Sequence, residues 1–172
     1  VMFGCQIIKR RAAFIKELND IIYDIHRKLS GEREELFIEY ETETQAENFA
    51  AKVRANRERD LKIGQTSSGP HKDDCIFKIG ECDIRKFGSQ GQQRTAALSL
   101  KLSEIELVKK VTKDTPVLLL DDVLSELDSN RQNYLLNSIG DIQTIITCTG
   151  LEEFVNNRFE IDRVFKVTDG VV

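Results

Sequence analysis

Two adjacent carboxylates, Asp121 and Asp122, follow the apolar run Val117-Leu118-Leu119-Leu120. Adjacent carboxylates repel one another and lose solvation when partly covered, so such a pair faces a cation or a polar network. Magnesium suits it, because Mg²⁺ is held through one or two carboxylates together with phosphate oxygens and retained waters. A second stretch able to do chemistry is Phe87-Gly88-Ser89-Gln90-Gly91-Gln92-Gln93-Arg94-Thr95. Its glycines let backbone approach a ligand, and the pattern Ala97, Leu98, Leu102, Ile105, Val108 that follows marks a long amphipathic helix. The start of that helix offers free amides and the positive end of a dipole, an anion site, to which the Ser89 hydroxyl and the Gln90 and Gln92 amides add neutral donors. A glycine turn that merely caps a core helix fits the same residues, and the motif alone leaves the two readings balanced.

Other candidates fall away on their chemistry. Gly64-Gln65-Thr66-Ser67-Ser68-Gly69 has the spacing of a phosphate-binding loop, but Pro70-His71 follows where Lys and Ser or Thr are required. No complete GxxxxGK[ST] occurs, so the chain is expected to hold half a nucleotide site and to be inactive by itself. A nucleophilic Ser89 would need glycine two residues earlier, where Phe87 stands, and neither His26 nor His71 has a pattern recommending it as a base. Gly69-Pro70-His71-Lys72-Asp73-Asp74 mixes turn residues with charges and reads as a surface loop, functional or merely a turn.

The elements that must position these residues follow from periodicity. Ile7, Ile8, Ile15, Leu18, Ile22, Ile25 and Leu29 predict a helix stopped by Ser30-Gly31; it opens without a cap, as a fragment cut from a longer protein would. Its other face carries Lys9, Arg10, Arg11, Lys16, Arg27 and Lys28, more readily a solvated face than a phosphate contact. Residues 34–41 predict a strand, and Thr44 with Glu47 predicts a capping box opening a helix to about Asp60. Residues 75–79 and 82–86 predict a hairpin about Gly80-Glu81. The unbroken apolar run before Asp121 predicts a strand buried on both faces, as in a parallel sheet whose carboxyl ends hold the ligand. A helix from Ser129 to Ile139, with Asp128 as a candidate N-cap, then leads to a strand over 144–148, and residues 163–167 predict an edge strand.

Composition sets the bounds. At 172 residues, 40% hydrophobic and 31% charged, the chain has the make-up of an ordinary globular domain with its own core. A net charge of −4 does not advertise nucleic-acid binding, so any such contact needs a local patch. Cys5, Cys75, Cys82 and Cys148 make no CxxC pair and no zinc spacing, which favours reduced thiols in a cytoplasmic setting. No apolar run approaches the ~20 residues of a membrane span.

A Ser-Gln-Gly-Gln loop opening a helix, then a buried strand ending Asp-Asp, then Ser125-Glu126-Leu127-Asp128, resembles the C-terminal half of an ABC-type ATPase head. Gly88 to Gln92 stand in the place of the signature loop, Val117 to Asp121 in that of the Walker B strand, and Ser125 to Asp128 in that of the D-loop. Gly69 to Asp74, Phe87 to Leu102 and Leu118 to Asp128 together resemble the RecF family of bacterial recombination mediators, most strongly from about residue 69 to about residue 149. The resemblance implies an α/β fold, a P-loop NTPase-like head lobe with a parallel-rich sheet flanked by helices. Its parts would be a helical arm over residues 1–62 and the C-terminal part of the head over 63–172.

The resemblance also implies roles. Asp121 would hold Mg²⁺, and Asp122 would polarise the attacking water where most ABC proteins have Glu. Ser89, Gln90, Gly91 and Gln92 would bind the γ-phosphate of ATP carried by the opposite subunit, and Asp128 would lie across the same interface. Cys148-Thr149-Gly150 stands where many heads carry a γ-phosphate-sensing His; Thr147 or Thr149 can donate a hydrogen bond there but no charge. With Asp122 one methylene shorter than Glu, slow hydrolysis is implied. The implied function is that of a bacterial cytoplasmic protein that dimerises on ATP and binds single-stranded, gapped or junction DNA. It would work with a RecR-type mediator to help load recombinase in replication-coupled repair and the SOS response. A transporter's ATPase subunit would usually carry the sensing His and a closer match to LSGGQ; a nucleotide-independent DNA or protein scaffold with an ABC-like fold is the competing reading.

Overall fold

Apolar residues at helical spacing build α1, Met2–Leu29, whose buried stripe is Ile8, Leu18, Ile22, His26 and Leu29 in a computed structural model that describes residues 1–148, 161–168 and 170–171, Glu126 by backbone alone. The helix ends where expected: Arg27 and Lys28 place cationic side chains in its last turn, where the helix dipole favours them, and the Ser30 N–H donates to the His26 carbonyl. The described residues divide into two compact units, Val1–Thr115 and Pro116–Val172.

In the first unit, β1 (Leu36–Glu41) buries Leu36 and Ile38 on one face and pairs antiparallel with β2 (Asp74–Ile79), Ile38 opposite Phe77. The free edge of β1 is covered by α1. Asn19 donates to the Ile38 carbonyl and accepts from the Ile38 N–H, both at 2.8 Å, so one side chain supplies the bonds of a missing strand. β2 turns back into β3 (Cys82–Asp83) about Gly80-Glu81. The hairpin is shorter than expected because Asp83 accepts from the Arg85 N–H at 3.0 Å and opens α4 (Ile84–Phe87). α5 (Gln90–Thr112) follows. Leu18 and Ile22 of α1, Leu36 and Ile38 of β1, Ile84, and Ala96 and Leu107 of α5 form one core, with Phe77 and Ile79 of β2 packed against it. Segments expected in the arm and in the head thus share that core. A smaller cluster joins Ile8 to Ala46 and Phe49 of α2 (Ala46–Ala55).

The expected Thr44–Glu47 capping box does not form. Gln45 occupies the N-cap without a side-chain bond, and the Thr44 hydroxyl is buried without a partner because Thr42 and Thr44 close a local turn on each other. The expected single helix to Asp60 breaks at Asn56, whose side chain donates to Ser68 at 2.7 Å, and restarts as α3 (Arg57–Ile63).

In the second unit, β4 (Leu118–Asp121) and β5 (Thr144–Thr147) are parallel, Leu119 beside Ile145 and Asp121 beside Thr147, and α6 (Ser129–Ser138) is their crossover. Leu120, Leu124, Leu135, Leu136, Ile139 and Ile142 are buried. The expectation of two buried faces on β4 is met on one only: Leu119 is 69% and Ile145 57% exposed. Two strands with one crossover helix have cover for a single face. The expected edge strand over 163–167 does not form; just beyond it Thr168 and Val171 make an isolated antiparallel bridge. Thr149, one of the two threonines considered as a γ-phosphate sensor, lies outside the described residues. The fold class is α/β, with one parallel pair and one three-stranded antiparallel sheet among the described residues.

Candidate nucleotide-binding residues

Ser89 caps α5 through a complete capping box. Its Oγ accepts from the Gln92 N–H at 3.2 Å while Gln92 Oε1 accepts from the Ser89 N–H at 2.9 Å. Because the Ser89 oxygen acts as an acceptor there, its hydroxyl hydrogen is left to donate outward. The amides of Gln90 and Gly91, at the first two helical positions, have no carbonyl a turn earlier to bond. Ser89 and Gln90 are exposed. These are donors at the positive end of a 23-residue helix, the electrostatics that favour phosphate.

The two glycines of the loop have different reasons to be there. A Cβ on Gly88 would sit 2.5 Å from the Ile84 carbonyl oxygen, so Gly88 serves the close passage of the loop over α4. A Cβ on Gly91 would meet nothing nearer than Ser89 Oγ at 3.9 Å, and its backbone is helical. The fold of this chain does not require glycine at 91.

Behind the loop lies a polar network that sequence reasoning missed. Gln92 Nε2 donates to Glu34 Oε1 at 2.8 Å, and the other Glu34 oxygen is 3.5 Å from Nε2 of the fully buried His26. His26 Nδ1 is 2.9 Å from Ser99 Oγ, and the Ser99 hydroxyl donates to the Thr95 carbonyl at 2.7 Å, which leaves the shared hydrogen on Nδ1. Thr95, Ser99 and Ser103 each donate to the carbonyl four residues back, so α5 buries three hydroxyls at no hydrogen-bonding deficit. The signal was in the sequence: His26 continues the Leu18, Ile22 stripe, and Thr95, Ser99 and Ser103 recur every fourth residue.

In the second unit, Asp121 and Asp122 emerge exposed at the end of β4, and Thr147 of the neighbouring strand touches both. The Thr147 hydroxyl donates to Asp121 Oδ1 and accepts from the Asp122 N–H at 3.1 Å. Asp122 has φ +52°, a left-handed backbone that Asp tolerates far better than longer side chains, a physical reason for Asp rather than Glu here. Among the described residues no three His, Cys, Asp or Glu side chains gather as a metal cage. The exposed Asp121 carboxylate beside the Thr147 hydroxyl is a hard-oxygen set that fits Mg²⁺ retaining most of its waters.

Asp128 is the N-cap of α6, accepting from the Asn130 and Arg131 N–H groups at 3.1 Å and pairing with the Arg131 guanidinium at 2.8 Å. The Arg131 amide, ahead of the guanidinium's charge, holds its carboxyl below the ordinary range. A lowered folded value means the stabilisation is present above the ordinary carboxylate range and lost as pH falls through the lowered value. Asp128→Ala is expected to cost about 1 kcal/mol at neutral pH. Asp128→Asn should keep the cap but unfold with a flatter acid limb, read by urea denaturation from about pH 7 down to about pH 3.

The Gly69–Asp74 loop has a structural anchor. Asp73, its carboxylate 1% exposed, accepts from the Tyr40 hydroxyl, from the Thr42 hydroxyl and from the Glu43 N–H, the last two at 3.2 Å, with the Arg11 guanidinium 3.9 Å away. Burial, then the hydrogen bond to Asp73 and its charge, pushes the Tyr40 phenol up to about 12. Arg11 also donates to the Pro70 carbonyl. The Gly64–Gly69 stretch follows a helix, α3, and not a strand, so it lacks the context of a phosphate loop. No helix among the described residues is long and apolar enough to cross a membrane.

The chain is 64% identical over its full length to the DNA replication and repair protein RecF of Lachnospira eligens, and 60% identical, again over its full length, to that of Lachnoclostridium phytofermentans. It spans 47% and 48% of those proteins, about half their length. A solved structure of the recombination mediator protein RecF with ATPrS, in the RecFOR pathway, superposes with a TM-score of 0.80 at 37% identity, covering 98% of this chain and 46% of that one. A second, of RecF with ATP, gives 0.76 at 37% identity over 88% of this chain and 43% of that one. No family model matches the chain.

Proposed function

The chain belongs to the RecF family, and on that premise we propose that it is the C-terminal part of an ATP-dependent DNA-binding protein of recombinational repair in the bacterial cytoplasm. Residues 1–62 form its helical arm and 63–172 carry the signature, Walker B and D-loop segments of the head. The remainder of the protein supplies the phosphate-binding loop, and two heads close on ATP. Ser89, Gln90, Gly91 and Gln92 then meet the γ-phosphate held by the opposite subunit, with Asp128 on the same interface. Asp121 carries Mg²⁺ through water and Asp122 orients the attacking water. Bound magnesium supplies charge neutralisation at the phosphates; catalysis otherwise rests on position. The dimer engages single-stranded, gapped or junction DNA, works with a RecR-type partner to load recombinase, and serves replication-coupled repair and the SOS response.

The observation that supports this best is the Ser89 cap, which leaves an exposed hydroxyl hydrogen and two amides at the head of a long helix beside a glycine the fold does not need. Sedimentation of the complete protein with and without ATP and Mg²⁺, wild type beside Ser89→Arg, tests it. Wild type is expected to dimerise on ATP, and Ser89→Arg to stay monomeric while still binding nucleotide. Equal dimerisation, or no response in either, returns Ser89 to a mere turn and favours the nucleotide-independent scaffold.

A further inference from the structure

We propose that Glu34 is a positioning residue for the signature loop, fixing the Gln92 side chain and thereby Ser89, so that the junction of α1 and β1 sets how readily two heads close on ATP. This rests on the reading of Ser89 as a γ-phosphate ligand. A glutamine amide has an acceptor end and a donor end, and its terminal torsion is soft. With a carboxylate at 2.8 Å from one end, only the nitrogen can face Glu34, which forces the oxygen toward the Ser89 N–H. Glu34 therefore selects the one amide orientation that completes the capping box.

Glu34 is itself held through its backbone at the end of α1: its N–H donates to Ser30 Oγ at 3.2 Å and its carbonyl accepts from the same hydroxyl at 3.4 Å. Its second oxygen lies 3.5 Å from Nε2 of buried His26, whose Nδ1 is tied through Ser99 to the body of α5. A surface carboxylate meant only for solubility needs none of these. Loss of the acceptor leaves the amide held at one end only, free to swing away from the Ser89 N–H, and the loop then spends part of its time uncapped.

The test uses the complete protein and reads two quantities, nucleotide binding by the monomer and the ATP concentration that half-saturates dimerisation. Glu34→Leu is expected to raise the latter about tenfold, the worth of one charge-assisted hydrogen bond, with monomer nucleotide binding unchanged. Glu34→Gln, which still accepts from Gln92, should stay within about twofold of wild type. Should Glu34→Leu fold poorly, Glu34→Ala removes the same acceptor with a smaller side chain and is expected to give the same split. Wild-type dimerisation in these Glu34 variants, or parallel loss of monomer nucleotide binding, overturns the positioning role. Ser89→Arg runs alongside: if it dimerises normally, the reading of Ser89 has failed. If it alone fails to dimerise, that reading stands and Glu34 is excluded.

Discussion

A Gly91→Ala variant of the complete protein is expected to melt at or above the wild-type temperature and yet lose most of its ATP-driven dimerisation. The first half follows from this chain's geometry. A Cβ at 91 has 3.9 Å to its nearest neighbour, and alanine in place of glycine favours a helix by up to about 1 kcal/mol. The second half follows from the proposed function, in which a phosphate must approach that backbone closely and a methyl group keeps it away. A loss of tenfold or more in association is the expected size, since a displaced γ-phosphate forfeits several charge-assisted bonds together. Gly88→Ala gives the opposite pattern: with 2.5 Å to the Ile84 oxygen it should destabilise by about 1–3 kcal/mol through overpacking. Calorimetry and sedimentation on both variants separate the cases. A Gly91→Ala protein that melts below wild type shows the glycine serving the fold, and one that dimerises normally removes ligand approach as its reason.

Ile22→Ala is expected to have the largest effect on stability, about 2–5 kcal/mol, the range for truncating a large aliphatic side chain in a rigid core. Ile22 is 0% exposed, in the cluster where α1, β1 and α5 meet. That core has no slack on the β1 side, because Asn19 fastens the same helix to the Ile38 backbone. Collapse of α1 into the cavity is therefore limited, which places the cost toward the upper part of the range. A urea midpoint shifted at constant slope is the expected record. A loss under about 1 kcal/mol would mean that α1 moves freely against the rest, and the shared core would have to be abandoned.

The helix caps among the candidate residues depend on spacing that is local. Ser89 to Gln92 form a capping box within one turn, and Asp128 caps a helix that begins at the next residue; both depend on neighbours two or three positions away. The helix over residues 2–29 and the strand at 118–121 were legible for the same reason, since periodicity and apolar runs are properties of short windows. Thr44 does not cap α2 because its backbone N–H and carbonyl both bond the Thr42 hydroxyl, an equally local alternative. One face of β4 stays uncovered by the described residues, because burial depends on what covers a face and no strand carries that information in itself.

The sequence by itself determined where the candidate phosphate and cation groups stand along the chain, and which helices and strands carry them. Tertiary structure alone decided what holds those groups still. Glu34 and Gln92 are 58 residues apart and His26 and Ser99 are 73 apart; nothing in either window announces the other. Thr147 reaches Asp121 across 26 residues only because β4 and β5 pair in parallel at that register. The difference between Gly88 and Gly91, identical as letters, lies in whether Ile84 stands over the missing Cβ. Local hydrogen bonds and periodicity are written within a few residues, whereas packing joins segments whose approach is settled only when the whole core forms.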